Sequence, residues 1–174
     1  MTSFSEQSGL LFVDQPKLVF HGAYHKMGTV WITRVLEGIA RRFDLTVQKV
    51  NQRTEPLLPE ANIVIANHSD LDLDSLGDFV GSHMIRDPRD AIVSGYFYHL
   101  WTTEAWAHEP KEQLDGQSIQ QHLKSLNQSD GILFEISRFE EYSRNRGLLD
   151  WNFEDDRIIE LKYEQLMEDE PACF

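Results

Sequence analysis

Leu18-Val19-Phe20-His21-Gly22-Ala23-Tyr24-His25-Lys26-Met27-Gly28-Thr29-Val30-Trp31 reads as a strand that runs through a glycine-containing loop into a helix. Leu18, Val19 and Phe20 have strand composition, and Ile32, Val35, Leu36, Ile39 and Phe43 follow at helical spacing. A loop in this position turns backbone N–H groups and the positive end of a helix dipole toward a phosphate-like group, and Lys26 adds a mobile positive charge. A nucleoside-triphosphate P-loop sets lysine and a hydroxyl residue directly after its second glycine. Here Lys26 precedes Gly28 and Thr29 follows it, so the order of cation, turn and hydroxyl is different.

Working outward, strand and helix patterns alternate: strand 17–21, helix 29–43, strand 45–50, strand 63–67, a short helix near 75–79, strand 83–85 and helix 89–100. Such alternation predicts an α/β fold with a central parallel sheet flanked by helices on both faces, whose ligands sit at the carboxyl ends of the strands. Residues 21–29, 67–69 and 86–94 each follow a strand and are expected to converge on one rim. Helices are predicted over 117–126 and 132–146, the second with Leu133, Ile136, Phe139 and Tyr142 as core. The aromatic and then polar stretch 101–110 reads as a loop packed on the surface or overhanging the site, with packing preferred.

A second motif is Arg86-Asp87-Pro88-Arg89-Asp90-Ala91-Ile92-Val93-Ser94. Pro88 presets a first helical turn and Asp87 can cap it, so Arg86 ends a strand at the rim while Ser94 lies about two turns further on. A guanidinium fork and a hydroxyl converging from two elements can hold one phosphate. A third motif closes the chain at Ile158-Ile159-Glu160-Leu161-Lys162-Tyr163-Glu164-Gln165-Leu166.

In order and spacing these three elements resemble the sulfotransferases that use 3′-phosphoadenosine 5′-phosphosulfate (PAPS). In that family the first loop reads like Tyr-Pro-Lys-Ser-Gly-Thr-Thr-Trp; Tyr24, Lys26, Gly28, Thr29 and Trp31 match, whereas His25, Met27 and Val30 depart. The resemblance implies a P-loop-NTPase-like sulfotransferase architecture in a single domain, 17–174. It assigns the 5′-phosphosulfate to Tyr24, His25, Lys26, Met27, Gly28, Thr29, Val30 and Trp31, the 3′-phosphate to Arg86 and Ser94, and the adenine border to Tyr163. It also implies a basic, glycine-containing segment after the last strand; the sequence ends at Phe174, so the domain reads as C-terminally short and donor binding is expected to be reduced.

Bulk properties limit the other classes. At 174 residues the chain has the length of one domain, residues 1–16 read as a loosely held terminus, and no apolar run has the length of a membrane span. The single cysteine, Cys173, excludes an intrachain disulfide and a zinc cluster, and a cytoplasmic location is expected. A net charge of −13 argues against nonspecific nucleic-acid binding. Residues 1–100 carry 9 Lys+Arg against 12 Asp+Glu, and residues 101–174 carry 7 against 17. A donor with about four negative charges therefore needs local cations, for which Lys26, Arg86 and Arg89 are the candidates.

Sulfuryl transfer asks the protein for in-line positioning and charge stabilisation. Lys26 is expected beside the oxygen bridging sulfur and phosphorus. His68, after strand 63–67, is the expected base, as the resemblance also implies; the family's neighbourhood is His-Leu-Pro where this chain has His68-Ser69-Asp70, and Asp70 or His25 remain alternatives. No metal is expected. The acceptor is a hydroxyl or amine on a small molecule or glycan. A PAPS-binding module without transfer activity is the second reading, and a small-molecule kinase the third.

Overall fold

The computed structural model describes residues 18–168; the terminal segment 1–16, Lys17 and Cys173 lie outside the described residues. Five strands, β1 (Leu18–Ala23), β2 (Val47–Val50), β3 (Ile63–Asn67), β4 (Phe79–Ile85) and β5 (Ile158–Lys162), form one sheet in the order β2-β3-β1-β4-β5. Every pairing is parallel, with Ala23 opposite both Asn67 and Met84 at the carboxyl rim. Five α-helices accompany it among the described residues: α1 (Thr29–Phe43), α2 (Pro88–His99), α3 (Ile119–Ser125), α4 (Gln128–Asn145) and α5 (Tyr163–Glu168). The α/β class and the parallel sheet read from the alternating pattern are those observed.

A continuous apolar strand is what a parallel sheet covered on both faces requires, and Ile63, Val64, Ile65 and Ala66 of β3 are all buried. On one face Val19, Ala23, Ile63, Ile65 and Met84 meet Ile32, Val35, Leu36 and Ala40 of α1 and Leu166 of α5. On the other, Phe20, Ala66, Phe79 and Ile158 are covered by Leu57, by the 3₁₀ turn Leu73–Leu76 and by Trp151. The Tyr142 ring of α4 also meets buried Tyr24 edge-on. Gly81 lets β4 pass the Phe20 ring, because a Cβ there would lie 2.9 Å from it. Helices α2, α3 and α4 enclose a smaller core of Tyr96, Ile119 and Leu123, to which Trp106 contributes.

Several local expectations differ. Helix α1 touches the sheet along the Ile32–Leu36–Ala40 ridge, which runs obliquely to the helix axis, so Ile39 and Phe43 end beside the contact and stay exposed. The helix expected near 75–79 is the turn Leu73–Leu76, and Phe79 opens β4 instead, where its ring packs edge-on against Phe20. Helix α3 begins at Ile119 because Ser118 and Gln121 form a capping box, and α4 begins at Gln128 because the Asn127 side chain accepts from the Asp130 N–H. Leu133 and Ile136, expected in the core, are exposed; α4 buries Gly131 and Glu135 instead, and packs Ile132 and Phe134 against the small core. Strand β5 stops at Lys162, and Tyr163 begins α5.

Candidate functional site

The loops after β1, β3 and β4 open onto a cleft of about 900 Å³ at the carboxyl rim. His25, Lys26, Gly28, Thr29, Val30, Trp31, His68, Arg86, Ser94 and Tyr163 all line it, so four separate stretches of sequence meet at one place. Tyr24 and Met27 do not. Their side chains are buried, Tyr24 edge-on to His83 and Tyr142, so neither can touch a ligand in the cleft.

The loop is held in a demanding conformation. Lys26 and Gly28 both have positive φ, 64° and 95°, and a Cβ at Gly28 would lie 2.5 Å from Met84 Sδ and 3.0 Å from the Tyr163 ring. Only glycine satisfies both conditions. The Met27 N–H donates to Tyr24 O, and Thr29 Oγ1 donates to the same carbonyl at 3.2 Å. The Met27 amide and the Thr29 hydroxyl proton are therefore engaged inside the loop. The amides of Thr29 and Val30, at the first two positions of α1, have no intrahelical acceptor and are the ones available to an anion.

Arg86 joins the second motif to the first. Its Nη1 donates to Lys26 O at 3.0 Å, its guanidinium lies 4.4 Å from the Tyr163 ring centroid, and its buried Nε has no hydrogen-bond partner among the described residues. Asp87 caps α2 by accepting from the Arg89 N–H, as expected, and its own N–H donates to Glu164 of α5. Arg89 is spent on Asp87, lies exposed and is not part of the cleft wall. Ser94 lines the cleft with no hydrogen bond from its hydroxyl among the described residues. Lys26 Nζ rests 3.9 Å from the Tyr98 ring centroid. Burial lowers the Lys26 pKa from its ordinary value, and the Arg86 charge lowers it further.

Three imidazoles, a phenol and a carboxylate complete the wall. His68 and Ser69 have φ of 70° and 50°, two successive left-handed residues that turn the chain back after β3 and present the His68 ring to the cleft. His68 Nδ1 is 2.7 Å from Tyr142 Oη, which also accepts the His25 N–H at 2.9 Å. Burial pushes the His68 pKa down and raises that of Tyr142 to about 12. The His25 and His99 rings meet edge to edge, with planes 9° apart and Nε2 atoms 3.1 Å apart; His99 Nδ1 is 2.8 Å from Glu135 Oε1, and Arg138 Nη1 donates to both Glu135 oxygens. Asp70, the alternative base, is paired with Arg146 at 3.2 Å and is not part of the cleft wall.

Tyr142, His99, Glu135 and Arg138 carry no motif, and sequence reasoning passed over them. For Tyr142 the only signal was an aromatic on a helix face, which reads as core. Glu135 and Arg138 stand at i and i+3 of α4, a charge pair whose spacing gives no sign of a cleft. Trp106 and Glu104 of the aromatic stretch line the cleft, and Trp106 also packs in the small core, so that loop does both things foreseen for it. Among the described residues no group of three or more His, Cys, Asp and Glu side chains could hold a metal ion. No helix of the described residues is long and apolar enough to cross a membrane.

No family model matches the chain, and no curated protein matches it in sequence. Mouse sulfotransferase SULT7A1, in a crystal structure of its complex with PAP, is similar at 18% identity and a TM-score of 0.46; the match covers 92% of this chain and 56% of that one.

Proposed function

We propose that the chain is a PAPS-dependent sulfotransferase, moving a sulfuryl group to a hydroxyl or amine acceptor by in-line displacement. One observation carries this reading: Lys26 and the Arg86/Ser94 pair, 60 or more residues apart in sequence, line the same cleft, and Arg86 is bonded to the carbonyl of Lys26 itself. A cleft of about 900 Å³ has the volume of a nucleotide site. The Arg86 guanidinium on the cleft wall and the Thr29 and Val30 amides at the start of α1 supply donors where an anion needs them.

In the reaction the acceptor oxygen attacks sulfur from the side opposite the 5′-phosphate. The bond from sulfur to the bridging oxygen breaks, and the charge left there is met by the Lys26 ammonium. The acceptor's proton passes to an imidazole of the cleft, where His68 and His25 stand with ring centroids 6.5 Å apart. Tyr163, beside Gly28 and Arg86, borders the adenosine, and Arg86 with Ser94 holds its 3′-phosphate.

The test is ligand-induced stabilisation. 3′,5′-Adenosine bisphosphate (PAP) at about a hundred times its Kd should add roughly 2.7 kcal/mol and raise Tm, whereas ATP with Mg²⁺ should not. A larger shift with ATP and Mg²⁺ would move the assignment to a kinase. Stabilisation by PAP without release of labelled sulfate from PAPS would leave a binding module.

A further inference from the structure

We propose that His25 is the group that takes the acceptor's proton, that His99 and Glu135 hold it in the required tautomer as positioning residues, and that His68 serves as a hydrogen-bond donor; this rests on the sulfuryl-transfer reading.

The argument is one of proton placement along two chains of hydrogen bonds. His99 Nδ1 faces a Glu135 oxygen at 2.8 Å and Arg138 Nη1 at 3.1 Å; the two Nη1 protons are directed to the two Glu135 oxygens, which keeps the carboxylate ionised and leaves the proton between His99 and Glu135 on Nδ1. Neutral His99 then has only a lone pair at Nε2. The atom facing that lone pair, His25 Nε2 at 3.1 Å, must carry the proton of its own ring. His25 is thereby left with an unprotonated Nδ1. That nitrogen has no hydrogen-bond partner among the described residues, is not one of the sealed polar atoms, and belongs to a ring lining the cleft next to Lys26.

The second chain has the opposite sense. Tyr142 Oη accepts the His25 backbone N–H, and within its reach the acceptor for its own proton is His68 Nδ1 at 2.7 Å. Neutral His68 consequently carries its proton on Nε2, where it can donate to a sulfuryl or acceptor oxygen but cannot accept. One tyrosine and one carboxylate thus give two neighbouring histidines complementary roles.

Proton balance follows directly. As the acceptor's O–S bond forms, its proton goes to His25 Nδ1, and the resulting imidazolium remains hydrogen-bonded through His99 to the negative charge of Glu135. The groups facing His25 are Lys26 in its own loop, His68 after β3, Tyr98 and His99 of α2, Trp106, and Arg138 and Tyr142 of α4. Burial, then His99, Lys26, His68 and Arg138, hold its pKa down at about 3, which keeps the lone pair free. An entering sulfate and phosphate offset Lys26 and Arg138 and raise its basicity when the reaction needs it.

Two readouts test this. Two-bond ¹⁵N–¹H correlation of the histidine rings at neutral pH, assigned with single His→Gln variants, should show His25 and His68 as Nε2–H tautomers and His99 as Nδ1–H. Glu135→Gln should alter the His99 and His25 signals and leave that of His68 in place. Independently, His25→Ala should slow sulfate release from PAPS, with water as acceptor, by on the order of 100-fold while PAP binding stays within threefold. His68→Ala should cost about tenfold, the scale of one lost hydrogen bond. An Nδ1–H tautomer at His25, or release by His25→Ala within a few-fold of the parent, overturns the proposal. Failure of PAP to bind the parent protein would instead sink the sulfotransferase reading, and the ring spectra would still decide whether the relay exists.

Discussion

Replacing Gly28 by alanine tests the loop's construction at its tightest point. Two costs are expected. The first is conformational: at φ 95°, ψ 7° an L-residue pays about 1–2 kcal/mol for the left-handed region. The second is steric: the new methyl would sit 2.5 Å from Met84 Sδ and 3.0 Å from Tyr163, and forcing a carbon into a filled space costs typically 1–3 kcal/mol. Gly147 supplies the control, since its φ is 72° and a Cβ there meets nothing within 4 Å, so Gly147→Ala should show the conformational cost alone. Urea unfolding of the three proteins should therefore place Gly28→Ala about 2–5 kcal/mol below the parent and about 1–3 kcal/mol below Gly147→Ala. At about 2–4 °C per kcal/mol for a domain of this size, the first figure corresponds to a fall in Tm of about 4–20 °C. Met84 is fully buried and Tyr163 only half-buried, so the tyrosine is the side with room to yield; its displacement should also remove the ring from beneath Arg86 and lower PAP affinity. Equal losses in the two alanine variants would refute the packing argument, and with it the claim that Met84 and Tyr163 shape the loop.

Three further outcomes are expected. Lys26→Ala should reduce sulfate release from PAPS by 10²–10³-fold, the scale of one lost transition-state donor, measured at saturating PAPS so that the change falls on kcat. Arg86→Lys keeps the charge but loses the fork that reaches both the loop carbonyl and the ligand, so PAP affinity by calorimetry should fall about tenfold or more. Stability should decline below neutrality: burial depresses the folded pKa of His21 to about 4, so its contribution is complete above the unfolded value near 6.5 and is lost as pH falls through that window, on the order of 3 kcal/mol between pH 7 and 4. Urea titrations across that range should show the slope, and His21→Asn should reduce it by the share of His21 while the share of His25, whose pKa burial also depresses, stays.

The sequence was most legible where one local rule decides a residue. The order of β1, loop and α1, the cap at Asp87 and the meeting of Lys26, Arg86 and Ser94 at one rim all follow from period, capping and the parallel-sheet rule. Legibility ended where tertiary contact overrides period. Phe79 has no local reason to begin a strand, and does so because it packs against Phe20 across the sheet. Leu133 and Ile136 share helical spacing with Phe139 and Tyr142 but face outward, because Gly131 receives the Tyr96 ring, so close that a Cβ would lie 2.5 Å from it, and turns that side of α4 toward α2. The loop residues divide similarly: Lys26 and Thr29 were readable from type, but nothing in the string shows that the Thr29 hydroxyl would be turned back onto Tyr24 O.

The least legible part is the one that most constrains the chemistry. His25 occupies the position where the resembling family has proline, a residue with neither a backbone donor nor a titratable side chain. In this chain His25 is used twice: its N–H orients Tyr142, and through it His68, while the ring joins His99 and Glu135. A single departure in the loop thus connects three segments that the sequence leaves unrelated, one after β3, one in α2 and one in α4. The corollary concerns His25→Pro. It removes the donor to Tyr142, frees the phenol to rotate and lets His68 take the Nδ1–H tautomer, whose exposed Nε2 is a base. Transfer by His25→Pro should then exceed transfer by His25→Ala, with a pH–rate profile governed by His68. If the two variants are equally slow, the backbone donor has no part in setting the His68 tautomer, and the coupling between the two histidines is confined to their rings.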